Sequence, residues 1–85
     1  MKNDTLNPTE AHPAAHRALA YITSLGPTRL LLYQESFSSL AIDGNRLAEV
    51  CSGTLSRILN GENVSDRYVL GLAWTIKHSE ELNDE

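Results

Sequence analysis

Few side chains in this sequence combine the types and the spacing that catalysis or metal binding requires. His12 and His16 are four residues apart, so a helix would carry both imidazoles on one face, as some metal sites do. No second pair of ligands accompanies them, because Cys51 is distant in sequence and His78 stands alone. No serine occupies a nucleophile elbow, and the chain contains no glycine-rich phosphate loop. The sequence therefore predicts no enzymatic activity, no metal site, no cofactor and no small-molecule substrate.

Cys51 is the only cysteine of the chain, so no internal disulfide can form, and a reducing cytoplasm suits it. It falls on an apolar stripe with helical spacing, together with Leu47, Val50, Ile58 and either Thr54 or Leu55. A reactive thiolate needs a partly exposed, cationic setting. We therefore predict that Cys51 is a small buried hydrophobic residue rather than a nucleophile.

The elements that position these side chains are predicted to be helices. Apolar residues recur at helical spacing in four stretches, near 13–25, 28–40, 45–60 and 66–79. Proline and glycine mark the boundaries, and Ser65 or Asp66 can cap the last stretch. Gly53 interrupts the third stretch, either as a tolerated glycine or as the turn of a helix-turn-helix. The predicted fold class is all-α, a small bundle of about four short helices.

The predicted domain organisation has three parts. Residues 1–11 are expected to be a flexible N-terminal arm, 12–79 a single helical domain, and 80–85 a frayed acidic tail. One alternative remains open for residues 29–50, because the turn dipeptide Asp43-Gly44 lies between apolar stretches and permits a β-hairpin. Residues 30–33 do not alternate between apolar and polar types, which favours helices.

Four large apolar residues lie off or at the edges of the predicted stripes: Leu31, Leu32, Leu70 and Trp74. A chain of 85 residues is small, and such a chain buries only about 60% of the surface that its unfolded form exposes. We predict that these four residues form a protein interface, in a homodimer or with another regulatory protein. The alternative for Trp74 is that it covers the core of the bundle.

The charge balance bears on nucleic-acid binding. Seven lysines and arginines stand against eleven acidic residues, a formal net charge of −4. Nucleic-acid affinity comes largely from cations that meet phosphates, and dedicated binders usually carry a basic patch. Between Arg46 and Arg67 the charges balance, which neither supports nor excludes binding to duplex DNA.

The stretch "TLSRILNGEN", residues 54–63, resembles the end of the recognition helix in Xre/HigA-type helix-turn-helix regulators. Residues 47–50, "LAEV", resemble the first helix of that motif, and the resemblance extends over residues 47–76. Because few residues separate the two segments, "FSSLAI" at 37–42 is the alternative first helix. The resemblance implies contacts with the major groove and with phosphates. The implied readers are Thr54, Ser56, Arg57 and Asn60, and the phosphate contacts are Arg46 and Arg67.

Residues 58–76, "ILNGENVSDRYVLGLAWTI", are also similar to AriR-type two-component connector and biofilm regulators. In these proteins a helix ends in a Gly-Asp-Asn-Val-like corner before a second apolar helix. The resemblance implies a short, dimeric, helical protein that acts by touching other regulators. Without either family, Asn-Gly is simply good helix-stop chemistry and Ser-Asp good helix-start chemistry.

The function that the sequence favours is that of a small cytoplasmic regulatory protein, a homodimer that acts through helix-mediated protein contact. No apolar run approaches the roughly 20 residues that cross a bilayer, so no membrane contact is predicted. The first alternative is a compact helix-turn-helix repressor that binds DNA. A second is an antitoxin-like or immunity-like inhibitor, since small acidic proteins mask basic partners.

Overall fold

The computed structural model describes residues 8–83, and the side chains of residues 13–82. The described residues form four helices and no strand, which confirms the all-α fold class. The hairpin alternative for residues 29–50 is therefore wrong. None of the helices within 8–83 is long and apolar enough to cross a membrane. The helices are α1 (Pro8–Ser24), α2 (Pro27–Ile42), α3 (Arg46–Leu59) and α4 (Asp66–Asn83).

Local sequence chemistry sets the helix boundaries in the middle of the chain. At the start of α3, the side-chain Oδ1 of Asn45 accepts a hydrogen bond of 2.9 Å from the backbone N–H of Ala48. At its end, Gly61 has a φ of 77°, a conformation that side chains with a Cβ rarely adopt. The N–H of Glu62 then bonds to the carbonyl of Arg57 at 2.9 Å, which closes the helix. The Asn-Gly corner that the sequence predicts is thus formed.

Both ends of the chain are more helical than the sequence predicts. α1 begins at Pro8 rather than at Pro13, so the last four residues of the predicted 1–11 arm are helical. Residues 1–7 lie outside the described residues. Proline fits the first turn of a helix because the N–H that it lacks has no partner there, and Pro8 lies at that position.

α4 continues to Asn83, so residues 80–83 of the predicted frayed tail are helical. Glu80 explains this extension. Its carboxylate accepts a hydrogen bond from the hydroxyl of Tyr33 on α2. It also lies 3.4 Å from the guanidinium of Arg29, measured from Oε1 to Nη1. These two contacts attach the last turns of α4 to the start of α2.

The helices pack as two main pairs, α2 against α3 and α1 against α4, with smaller contacts joining the pairs. α1 and α4 run in the same direction. Ala15 on α1 and Val69 near the start of α4 line the same cavity. Further along α1, the pKa of Tyr21 is raised by burial and then by the charge of Glu80. The fully buried side chains at the centre of the core are Ile22, Leu55, Leu72 and Ile76.

α2 and α3 form an antiparallel helical hairpin. The amide nitrogen of Gln34 donates a hydrogen bond of 3.1 Å to the hydroxyl of Ser52, and Ser38 lies 3.1 Å from the same hydroxyl. Both contacts join the central part of α2 to the middle of α3, at similar distances in sequence from the turn between the helices. The two helices therefore lie side by side on either side of the turn at 43–45.

Candidate interaction surface

The described side chains contain no cluster that could hold a metal ion, and the thiol of Cys51 is buried. Within residues 13–82 no three His, Cys, Asp or Glu side chains are placed to hold a metal ion. The side chain of His12 lies outside the described side chains, and so does its predicted pairing with His16. Cys51 is buried, and burial raises the pKa of its thiol, although a contact with the hydroxyl of Thr75 opposes this in part. A raised pKa keeps the thiol protonated and unreactive at neutral pH.

The helix-turn-helix expected from residues 47–76 is not formed around Gly53. "LAEV" and "TLSRIL" both belong to the single unbroken helix α3. Gly53 is a tolerated glycine in the helix interior, and a Cβ added there would meet nothing within 4 Å. With 37–42 as the alternative first helix, the partner of α3 is α2. Those two helices contact each other through Gln34 and Ser38 on α2 and Ser52 on α3.

The six predicted DNA contacts divide into one buried and five exposed residues. Thr54 is only 6% exposed, so its side chain is not accessible to a DNA groove in this fold. It follows Cys51 by three residues and therefore faces the core with it. The exposed contacts are Arg46, Ser56, Arg57, Asn60 and Arg67. Four of these lie on α3 or its C-cap, and Arg67 lies on α4.

The predicted protein interface is exposed but divided between two places. Leu32 on α2 lines a depression with Tyr33 and Glu80. Trp74 on α4 lines a different one with His78 and Glu81. Leu31 accompanies Leu32 on α2, and Leu70 lies one turn before Trp74 on α4. Leu32 and Trp74 therefore line different depressions, on α2 and on α4.

Trp74 is the most prominent apolar side chain of α4. It is 65% exposed, so the alternative in which it covers the core is wrong. Its indole stacks on the imidazole of His78, with ring centroids 5.1 Å apart and ring planes at 6°. The stack holds the indole along the helix surface, where it presents a flat apolar face beside Leu70.

A further apolar surface lies between α3 and α4, where the sequence predicted core. Leu47 and Val50 were assigned to the buried stripe, but they are 57% and 44% exposed. The structure buries Cys51 and Leu55, as predicted, but it adds Ala48 to them in place of Leu47 and Val50. Both sets have helical spacing, so periodicity alone does not separate them. Two arginines distinguish the two stripes. Arg46 and Arg57 lie on the same face of α3 as Val50, so burying Val50 would turn both arginines toward the core.

We name this surface the α3–α4 groove. It consists of two adjoining depressions with volumes of about 240 and 60 Å³. The two depressions share Val50, Thr54 and Tyr68, so they form one continuous feature. Leu47, Arg67 and Gly71 line one end of the groove. Glu49, Gly53, Arg57 and Val64 line the other.

The cavity between α1 and the α3–α4 corner is larger, about 520 Å³. Its walls include Ala15, Leu19 and Val69, and its polar lining comes from side chains such as Glu62 and Asn63. These polar groups are exposed to solvent. Small-molecule sites instead place a few fixed polar groups inside a largely buried apolar pocket. The cavity therefore does not have the lining of such a site.

The chain matches no protein-family model, no curated protein and no solved structure. The two family resemblances thus depend on the quoted residues alone, and the function is argued from the surfaces of the described helices.

Proposed function

We propose that this chain is a small cytoplasmic regulatory protein that forms a homodimer and acts by contact with another protein. The observation that carries the proposal is the exposed indole of Trp74, 65% accessible on the outer side of α4. Interface energy concentrates in tryptophan, tyrosine and arginine side chains that become buried on binding. Leu70 lies one turn away and extends the apolar area, while Lys77 and Glu81 beside Trp74 supply a polar rim.

The size of the domain supports the same proposal. The core has only a small set of fully buried side chains, whereas twelve large apolar residues of the described part are exposed. Single exposed apolar residues are normal for a monomer, whereas Leu70 and Trp74 lie one turn apart on one helix face and can be covered by a single partner surface. A second copy would bury them and add to the stability of a domain whose own core is small.

The alternative proposal, a compact DNA-binding repressor, has less support. α3 is unbroken at Gly53, which was one alternative for the turn of the motif, and Thr54 faces the core. The formal net charge of −4 opposes association with phosphates.

The proposal is tested by replacing Trp74 with glutamate and measuring molar mass in solution by light scattering over a wide concentration range. We expect a dimer for the natural sequence and a monomer for Trp74→Glu, because burying an unpaired carboxylate in an apolar contact is unfavourable. Ala20→Glu is the matched control, since Ala20 is an exposed helical residue on α1 and the added charge is the same. Circular dichroism establishes that both variants remain helical.

A natural chain that stays monomeric at the highest concentration, together with no change in any protein contact on Trp74→Glu, would refute the proposal. A sequence-specific shift of duplex DNA that is abolished by Arg57→Ala would establish the alternative instead.

A further inference from the structure

The α3–α4 groove has an apolar floor that the fold leaves open to solvent. Leu47, Val50 and Tyr68 are 57%, 44% and 50% exposed, and they lie beside one another across the two helices. The buried residues Cys51 and Leu72 lie beneath them. A row of half-exposed apolar side chains above a packed layer is the arrangement by which a groove receives the apolar face of a helix.

Two glycines keep this groove shallow and wide. Gly53 lines one depression and Gly71 the other, and both lie within helices rather than at turns. Added Cβ atoms would meet nothing within 4 Å at either position, so packing within the chain does not require glycine there. A partner backbone that approaches closely would require it, as at other helix contacts made through small residues.

The charged residues that line the groove are two arginines and one glutamate, a net positive charge that is opposite in sign to the charge of the chain as a whole. Arg57 lines one end and Arg67 the other. Neither makes an ion pair within 4.0 Å among the described residues. Arg46 lies one turn before Val50, and its 3.9 Å contact with Glu49 joins two largely exposed side chains. Such exposed pairs contribute little, so this arginine too is accessible to an acidic partner.

These observations discriminate among the candidate occupants. A second copy of the groove would bring arginines against arginines, because a twofold contact pairs a surface with itself. Duplex DNA would meet the arginines but would leave Leu47, Val50 and Tyr68 without apolar partners. A helix with an apolar face and acidic flanks satisfies both the floor and the rim.

We propose that the α3–α4 groove binds an acidic amphipathic helix of a partner protein. This inference rests on the proposed function and supplies the chemistry of the partner. Leu47, Val50 and Tyr68 contact the apolar face of that helix. Arg57 and Arg67 pair with aspartate or glutamate residues beside that face.

The test uses three synthetic helical peptides with the same leucine face, in which every flanking position is glutamate, glutamine or lysine. Binding to the full chain is measured by fluorescence anisotropy at low and high salt. We expect the order glutamate, glutamine, lysine from tightest to weakest. Arg57→Glu and Arg67→Glu should each weaken the glutamate peptide roughly fivefold or more, and should favour the lysine peptide.

Arg17→Glu is the matched control, because it makes the same charge change on an exposed residue of α1. Gly53→Leu is a second, uncharged variant. Leucine is a good helix former, and its side chain would occupy the floor without meeting other atoms of the chain at the Cβ position. It should weaken all three peptides while the helical circular dichroism is retained.

Several outcomes would overturn the inference. They are equal binding of the three peptides, no binding of any peptide up to about 1 mM, which corresponds to about 4 kcal/mol, or equal effects of Arg57→Glu and Arg17→Glu. Binding of a duplex DNA probe that Arg57→Glu abolishes would assign the groove to DNA. A dimer that dissociates on Val50→Glu but not on Trp74→Glu would assign it to a second copy. Dimerisation through Trp74 without peptide binding would support the proposed function and refute only the proposal that the groove binds a helix.

Discussion

The contact between Tyr33 and Glu80 offers a direct test of how the end of α4 is held. These residues are 47 positions apart in sequence, and the hydroxyl of Tyr33 donates to the carboxylate of Glu80. Tyr33→Phe removes only the hydroxyl, whereas Glu80→Ala removes the acceptor and keeps a strong helix former. The two single variants and the double variant form a thermodynamic cycle that isolates the coupling between the two groups.

The expected coupling energy depends on the charge of Glu80 and on the exposure of its side chain. A hydrogen bond to a charged group contributes about 1.5–3 kcal/mol. The side chain of Glu80 is 23% exposed, which weakens its interactions through solvent screening. We therefore expect a coupling of about 1–2 kcal/mol. The Arg29 contact should add little, because the Arg29 side chain is 56% exposed and exposed ion pairs contribute about 0.2–1 kcal/mol.

The measurement is equilibrium unfolding in urea, with amide hydrogen exchange at residues 79–83 as a local readout. Tyr33→Phe should lower the free energy of unfolding and increase exchange in the last turns of α4, with little effect at the start of that helix. Arg29→Ala serves as the control, with a smaller loss expected. A coupling below about 0.3 kcal/mol, which is within the error of additivity, would show that Tyr33 does not hold the end of α4.

The remaining predictions concern α3 and the corner that follows it. Gly53→Ala should stabilise the chain by about 0.5–1 kcal/mol in urea unfolding, because Gly53 is helical with open space at the Cβ position. Gly61→Ala should instead destabilise it by about 1 kcal/mol, since its φ of 77° strains an alanine; equal signs for the two would contradict an unbroken α3 that ends at Gly61. Burial raises the pKa of the Cys51 thiol, so thiol reagents should modify folded protein far more slowly than urea-unfolded protein. Rapid labelling at neutral pH would instead show that the thiol is accessible. Above pH 9.0, the ordinary pKa of a cysteine, the unfolded chain loses the thiol proton before the folded chain does. The free energy of unfolding should therefore fall as the pH rises, and Cys51→Ala should reduce that fall.

The sequence predicts most of the fold because the helix boundaries are encoded locally. Asn45, Gly61 and the prolines act on their immediate neighbours, and their effects are readable without knowledge of the packing. The ends of the chain were predicted less well for a related reason. Glu80 lies in a segment with no apolar face of its own, and the residue that holds it is on another helix. Sequence periodicity carries no information about such a partner.

The candidate surfaces were predicted only in part. Trp74 was expected at the surface because it lies off the apolar stripe of α4, and it is exposed. Leu47 and Val50 were misassigned because α3 contains two overlapping stripes, offset by one residue, and close packing selects the one that carries the small side chain of Ala48. Which stripe is buried depends on the shape of the neighbouring helices, and that shape is set by the packing of the whole chain.

The pairing of α1 with α4 has a consequence for the order in which the chain folds. α2 and α3 are joined by a three-residue turn, so their contacts close short loops. α1 meets α4 only after a loop that contains both α2 and α3 has closed, and each doubling of loop length adds about 0.6 kcal/mol of entropic cost. The central hairpin is therefore expected to form early, and the two outer helices to dock onto it together in the rate-limiting step. Removal of either terminal helix would deprive the other of its main neighbour and uncover Ile22 or Ile76.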